Sequence, residues 1–465
     1  INAALNTKDE NDSPEEHFTD TIKAACGLAD PNAVWGMTQA APELVHWLLK
    51  LGVKFNMSGY DDVDLRNFGG QKKKRTAFAQ SDTGKQIMTA MIDAVRRKEA
   101  SGMVERFSHH SFLTLRLCDN ICCGCVIRDE YSQETVELPG DAVIVATGGM
   151  HGLFGNTTGS LSNTGEVTAE LFRLGVPLAN GEMIQYHPTT VKCGGKRMLI
   201  SEAARGEGGR LFAMKDGKQW YFMEEKYPEL GNLMPRDITA REIWKVSHES
   251  EVFLDMTEIS EEIISNKLSG LADDCMTYLH KDIRKEPVSV LPGIHYFMGG
   301  ILVDEQHRTP IQNLYAAGEC CAQYHGANRL GGNSLLGALY GGRVAAKSAC
   351  EQADVVDLSC ATQIDFPPAS QISEIKQLNK VMQETMGVVR NENTLLNGIQ
   401  TVQALTGNLP LLGMAVLKSA LARKESRGAH WREDYPKSND DDYLKTTVAR
   451  FDGKQIQISF VPVPE

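Results

Sequence analysis

Asn313-Leu314-Tyr315-Ala316-Ala317-Gly318-Glu319 reads as a short apolar strand running into a glycine turn. Soon after it comes His325-Gly326-Ala327-Asn328-Arg329-Leu330-Gly331-Gly332-Asn333-Ser334-Leu335-Leu336. Strand, glycine turn and helix in this order bring backbone against a dinucleotide in a Rossmann-like sheet. The paired glycines let backbone approach a flat ligand, and Asn333 or Ser334 is expected to cap the helix that follows. The positive end of that helix would stabilise negative charge on a ring lying against it. Arg329, just before the turn, can grip a carboxylate with both arms of its guanidinium. Alone, the stretch would also fit a glycine-rich turn with a structural arginine ion pair.

Upstream, Asp141 to Val145 is a second apolar run, expected as a buried strand, ending in Ala146-Thr147-Gly148-Gly149. No G-x-G-x-x-G follows a strand near the start, so the sheet reads as half built. Its first nucleotide-binding βαβ unit is expected to be absent from this chain. Four further motifs lie between and around these strands: Gln185-Tyr186-His187-Pro188-Thr189, Ser201-Glu202-Ala203-Ala204-Arg205-Gly206-Glu207-Gly208-Gly209, Pro235-Arg236-Asp237, and Gly293-Ile294-His295-Tyr296-Phe297-Met298-Gly299-Gly300. Any one of them could be structural. Five motifs in one fixed order are far more specific.

The composition sets limits on partners. A net charge of -12 argues against nucleic acid, which calls for a basic stripe. Lys72 to Arg75 is a short basic run, expected as a solvated loop. No apolar run approaches the ~20 residues of a membrane span. Eleven cysteines in 465 residues suit free thiols in a reducing compartment better than a disulfide framework. Cys118, Cys122, Cys123 and Cys125 lie in a strand pair turning at Asp119-Asn120. Neighbours on a strand point to opposite faces, so the group is expected as small core residues, as are Cys320 and Cys321. No metal site is expected.

The length implies more than one domain. Helical periodicity marks Glu43 to Leu51, Thr83 to Arg97, Arg236 to Ser247, Ser260 to Tyr278, Ile372 to Gly387, Leu395 to Leu405 and Leu412 to Arg423. Pro367-Pro368 reads as a linker, and the last thirty or so residues read as polar strands. The expected class is α/β and α+β, multidomain. A Rossmann-like binding domain would cover 1–180 and 293–366, with an inserted capping domain at 181–292. A helical domain would follow at 367–436, and a tail at 437–465.

Taken together, the motifs resemble the flavoprotein subunit of succinate dehydrogenase and fumarate reductase, with L-aspartate oxidase as a near relative. The resemblance runs from Ile1, similar to the end of a Gly-Gly-Ile-Asn-Ala flavin-contact segment, to Ser426-Arg427-Gly428-Ala429-His430-Trp431-Arg432-Glu433-Asp434-Tyr435-Pro436. It implies FAD as cofactor. It also implies that His187, His295 and Arg329 hold the two carboxylates of succinate or fumarate, with Ser201 where a threonine usually assists. Arg236 would protonate the substrate carbon while flavin N5 delivers hydride, and Glu202 and Arg205 would return the proton. Glu319 would bind the ribose of FAD, and Glu166 stands where the family commonly has aspartate. The rest of the flavin site would draw on Ile1, Asn2, Ala146, Thr147, Gly148, Tyr296, Asn333, Ser334 and Leu335. The 432–435 stretch and the helices before it resemble the region that docks an iron–sulfur subunit. That implies a cytoplasmic protein, or one peripheral at a membrane through its partners.

The chemistry is consistent with those roles. Reducing a dicarboxylate alkene builds negative charge in the transition state, where preorganised cations act differentially. An arginine acid, with a pKa above ~12, works only if a carboxylate restores its proton at once. Phe68, before Gly69-Gly70, stands where aspartate oxidases typically carry glutamate. An apolar ring offers nothing to an ammonium group, which ranks aspartate second. Two further alternatives are a reductase of another α,β-unsaturated acid and an inactive flavin-binding scaffold.

Overall fold

In this computed structural model, the structure describes residues 1–8, 11–59, 62–80, 82–160, 162–355, 364, 366 and 371–464. The class is the expected one, with mixed parallel and antiparallel sheets followed by a helical region. The two sequence-predicted dinucleotide strands pair in parallel, Val143–Val145 against Leu314–Ala316, with Val143 opposite Leu314. Both end in glycine turns whose backbone is left-handed, at Gly148 (φ 73°) and Gly318 (φ 81°). The two strands differ in burial. Leu314–Ala316 is buried throughout, but only Val145 is buried in the first strand and Ile144 is 41% exposed. The expectation of a buried run there is corrected, because Ile144 and Val145 point to opposite faces of this two-stranded pair and only the face of Val145 is covered.

The strand pair His110–Cys118 and Ile121–Asp129 turns at Asp119-Asn120, both with positive φ as a type I′ hairpin requires. Cys122 and Cys123 are buried, as are Cys320 and Cys321, and the described residues hold no metal-binding cluster. The free-thiol expectation is corrected at Cys118, which is disulfide-bonded. The solvated-loop expectation fails at Arg75. This arginine is fully buried between Asp12 (2.8 Å) and Asp20 (3.0 Å), because the first helix, Pro14–Ala24, lies across it.

A four-stranded antiparallel sheet, in the order Lys218–Trp220, Arg210–Lys215, Val252–Asp255 and Val288–Ser289, has its own apolar core. That core includes Leu211, Ile243, Leu254 and Cys275. The single helix expected over Ser260 to Tyr278 divides into Glu261–Lys267, Ser269–Asp274 and a π-turn, Cys275–Leu279. Leu268 leaves helical geometry at φ -127° and buries its side chain in this core. Helices Ile372–Thr385, Glu392–Val402 and Asn408–Ala422 fall where the periodicity places them. Pro367-Pro368 lies outside the described residues. The final strands, Lys445–Phe451 and Ile456–Pro462, extend a sheet that also contains Leu178–Ala179 and Gly300–Leu302. No helix is long and apolar enough, among the described residues, to cross a membrane.

Candidate active site

Two antiparallel strands, Ile184–Cys193 and Leu291–Phe297, lead into and out of the segment that carries the four-stranded sheet. Ile294 pairs with Tyr186 and Tyr296 with Gln185, so the register slips by one residue at His295. Such a bulge re-aims a side chain out of the ladder. Here it brings the His295 ring to the His187 ring, 5.2 Å between centroids. Thr158 Oγ1 lies 2.8 Å from His295 Nδ1 and fixes that ring. Burial pushes both histidines well below the usual imidazole range, and the nearby Arg236 guanidinium adds to the effect on each. Both rings are therefore neutral. His187 Nδ1 lies 3.1 Å from Thr189 O and 3.3 Å from Thr189 N, and its Nε2 has no partner.

Arg329 lies over the Tyr296 ring at 4.4 Å, and its Nε is likewise buried and unpartnered. Burial, then repulsion from Arg236, lowers its pKa to about 9. A buried cation without a carboxylate is costly unless an anion joins it.

The proton side is built differently. Ser201 caps the short helix Glu202–Gly206, accepting from Ala203 N at 3.2 Å. Glu202 and Arg205 then share one face, 3.4 Å apart. Pro235 opens the helix Arg236–Val246 and places Arg236 against Glu202. Nε and Nη2 of Arg236 both donate to Glu202 Oε2, at 2.9 and 2.5 Å. Glu202 Oε1 accepts from Gly69 N at 3.0 Å. Burial alone would raise the Glu202 carboxyl, but Arg236 and Arg205 outweigh it and hold it below the usual carboxylate range. A Cβ at Gly331 would stand 3.0 Å from Glu202 Oε2 and 3.2 Å from Phe68, so that glycine admits no side chain without a shift. Arg205 and Arg236 thus share one buried carboxylate, Glu202, while the buried Arg329 has no carboxylate partner. The surplus of positive charge suits a dianion.

Sequence reasoning missed Gln185, Asn328 and Thr158. Gln185 is fully buried and accepts from Arg236 Nη1 at 3.1 Å. Gln185 and His187 are two apart on a strand and so share a face, the one signal that could have flagged Gln185.

The residues expected around the cofactor divide into two groups. Asn2 Nδ2 donates to Gly331 O and Asn333 Oδ1, each at 2.8 Å, and Asn2 Oδ1 accepts from Thr76 Oγ1. Asn2 therefore pins the glycine turn, while Ile1 N donates to Ala77 O beside it. The helix Asn333–Gln352 takes Gly332 as its N-cap with no side-chain cap, which corrects the expectation for Asn333 and Ser334. Asn333 instead bonds His17 and Thr21 through its side chain, and Leu335 packs on the adjacent core. The positive helix end therefore carries no side-chain cap. Ala146, Thr147 and Glu166 are exposed, and Gly148 is half-buried with φ 73°. Glu319 Oε1 accepts from Phe297 N at 3.1 Å and lies under Gly149. An uncapped helix end, a glycine turn that admits no Cβ and exposed backbone at the strand end fit a flat dinucleotide.

Strand-end glycine turns for a dinucleotide, with a capping sheet that closes on buried cations, define an FAD-dependent oxidoreductase. An FAD binding domain matches residues 1–335, and a fumarate reductase flavoprotein C-terminal domain matches residues 406–464. The succinate dehydrogenase flavoprotein subunit of Bacillus subtilis is 38% identical over 97% of this chain and 86% of its own length. An L-aspartate oxidase of Nostoc is 31% identical over 95% of this chain and 84% of its own. A variant of E. coli quinol fumarate reductase superposes with a TM-score of 0.88 at 26% identity, covering 99% of this chain and 88% of that one. The chain belongs to the succinate dehydrogenase/fumarate reductase flavoprotein family, and its cofactor is FAD.

Proposed function

We propose that the protein interconverts fumarate and succinate at FAD. The observation that carries this reading is a satisfied arginine beside buried groups that are left unsatisfied. Arg236 is locked on Glu202, while Arg329 Nε and His187 Nε2 are buried without partners. One side donates a proton and the other awaits an anion.

His187, His295 and Arg329 hold the two carboxylates. Neutral histidines bind as hydrogen-bond donors, and Arg329 supplies the charge. FAD, when bound, accepts or delivers hydride at N5. In the reductive direction negative charge grows on the bound acid, and Arg236 gives up a proton to the carbon next to the hydride acceptor. Five N–H groups make up a guanidinium. Three of Arg236's go to Glu202 and Gln185, leaving one on each terminal nitrogen for the substrate. Glu202, ionised and between two arginines, then passes a proton to Arg236 from the Arg205 side. Oxidation runs the same steps backwards.

Phe68 packs on the capping core beside Glu202 and offers no charge to an ammonium group, which favours these acids over aspartate. Several relatives are named as subunits, and the exposed Glu433 and Asp434 of the 432–435 stretch mark the surface we assign to an iron–sulfur partner. The test is steady-state turnover of the FAD-loaded protein with succinate plus a dye, fumarate plus reduced viologen, and aspartate. Turnover with the first two and none with aspartate is expected. Aspartate turnover alone would overturn the reading.

A further inference from the structure

We propose that Gln185 is a positioning residue that sets Arg236 at a fixed place relative to Arg329; this rests on the function proposed above. Arg236 begins a helix of the capping segment, whereas Arg329 precedes the glycine turn of the dinucleotide half. They lie on different parts of the chain, and their mutual repulsion lowers the Arg329 pKa. Something must hold two like charges at a distance that suits one substrate.

Gln185 bridges them. Its Oε1 accepts from Arg236 Nη1 at 3.1 Å, and its Nε2 donates to Arg329 O and to Asn328 Oδ1, each at 2.9 Å. Asn328 Nδ2 then donates to Asp237 Oδ1 at 3.1 Å, closing a ring back to the residue after Arg236. The direction of this ring is fixed chemically. A guanidinium only donates, so Gln185 must turn its oxygen toward Arg236 and its amide hydrogens toward Asn328 and Arg329. Asn328 must in turn face Asp237 with its NH2. Every polar atom of the Gln185 side chain is used, and the residue is fully buried. An apolar side chain of the same length would fill the space but break both links.

The measurement is kcat for fumarate per bound flavin, with the Kd of malonate read from the flavin spectrum, for wild type, Gln185→Met and Gln185→Glu. Gln185→Met is expected to lower kcat about 10- to 100-fold, while malonate Kd changes less than about threefold. A purely structural role would move Tm, flavin content and malonate Kd together. Gln185→Glu keeps the acceptor for Arg236 but loses donors to Asn328 and Arg329, so it should fall between. It also serves as the variant to read if Gln185→Met fails to retain flavin. An inactive wild type overturns the functional reading, and this inference with it. An active wild type whose two variants keep wild-type kcat overturns the positioning role alone.

Discussion

Two groups of buried arginines sit in this molecule, and they are satisfied to very different degrees. Near the C-terminus, Arg423 donates through Nε to Glu182, through Nη1 to Glu425 and Tyr443 O, and through Nη2 to Lys445 O and Thr447. Arg432 pairs with Asp434 and two carbonyls, and Arg427 with Glu425 and Asp440. In the site, Arg329 has no carboxylate partner, and Nε and Nη2 of Arg205 have no hydrogen-bond acceptor. The same residue type is an architectural tie where every donor is met. Arg66 and Arg390 also keep buried N–H groups unmet; in the site we propose that such leftover donors await a ligand, because a buried unmet donor costs free energy until something binds it.

The sharpest way to break this contrast is on the site side. Arg236→Lys keeps charge but loses the fork on Glu202, and should cut fumarate turnover at least ~1000-fold while flavin and Tm stay near wild type. Retained turnover of a few per cent would remove Arg236 from the proton path. On the architectural side, Arg423→Met leaves the buried Glu182 without its cation, while Glu425 keeps Arg427. It should cost about 3–5 kcal/mol in urea unfolding, with turnover per folded molecule little changed. If instead turnover fell with stability intact, the division between the two groups would collapse.

A smaller effect tests the leftover donors. Malonate at ~100 times its Kd should add about 2.7 kcal/mol of stability to the wild type and much less to Arg329→Met. An equal gain in both would mean that Arg329 holds no carboxylate. A last effect concerns pH. His17, His187, His295, His325 and His430 are all pushed down by burial, His17 to about 3. The unfolded chain therefore binds more protons below the unperturbed value near 6.5, and stability falls as pH drops through it. The slope is about 1.4 kcal/mol per pH unit for each histidine that stays neutral. A flat Tm between pH 7 and 5 would contradict neutral, buried histidines.

Much of the site could be read in the sequence, but unevenly. His187, Glu202, Arg205, Arg236, His295 and Arg329 converge, each carried by a local motif with its own glycine, proline or cap. Asn333 was misplaced as a cap because a side chain able to cap can be drawn elsewhere. Here Asn2, His17 and Thr21 compete for it from the other end of the chain. Arg75 was read as solvated because nothing local reveals that Asp12 and Asp20 fold across it. Gln185 went unnoticed for the same reason, since its partners Asn328 and Arg329 are over 140 residues away.

What the sequence determined by itself was local. It specified strands by apolar runs, the hairpin at Asp119-Asn120 by residues that accept positive φ, and helices by their periodicity and breakers. Spacing alone put Glu202 and Arg205 on one helix face. Tertiary structure decided which donors are met and which are left open. It set the bulge that turns His295 toward His187, the edge that exposes Ile144 and the ring that ties Arg236 to Arg329. Backbone preference acts over a few residues, whereas satisfaction of a buried charge depends on whatever the whole chain brings against it.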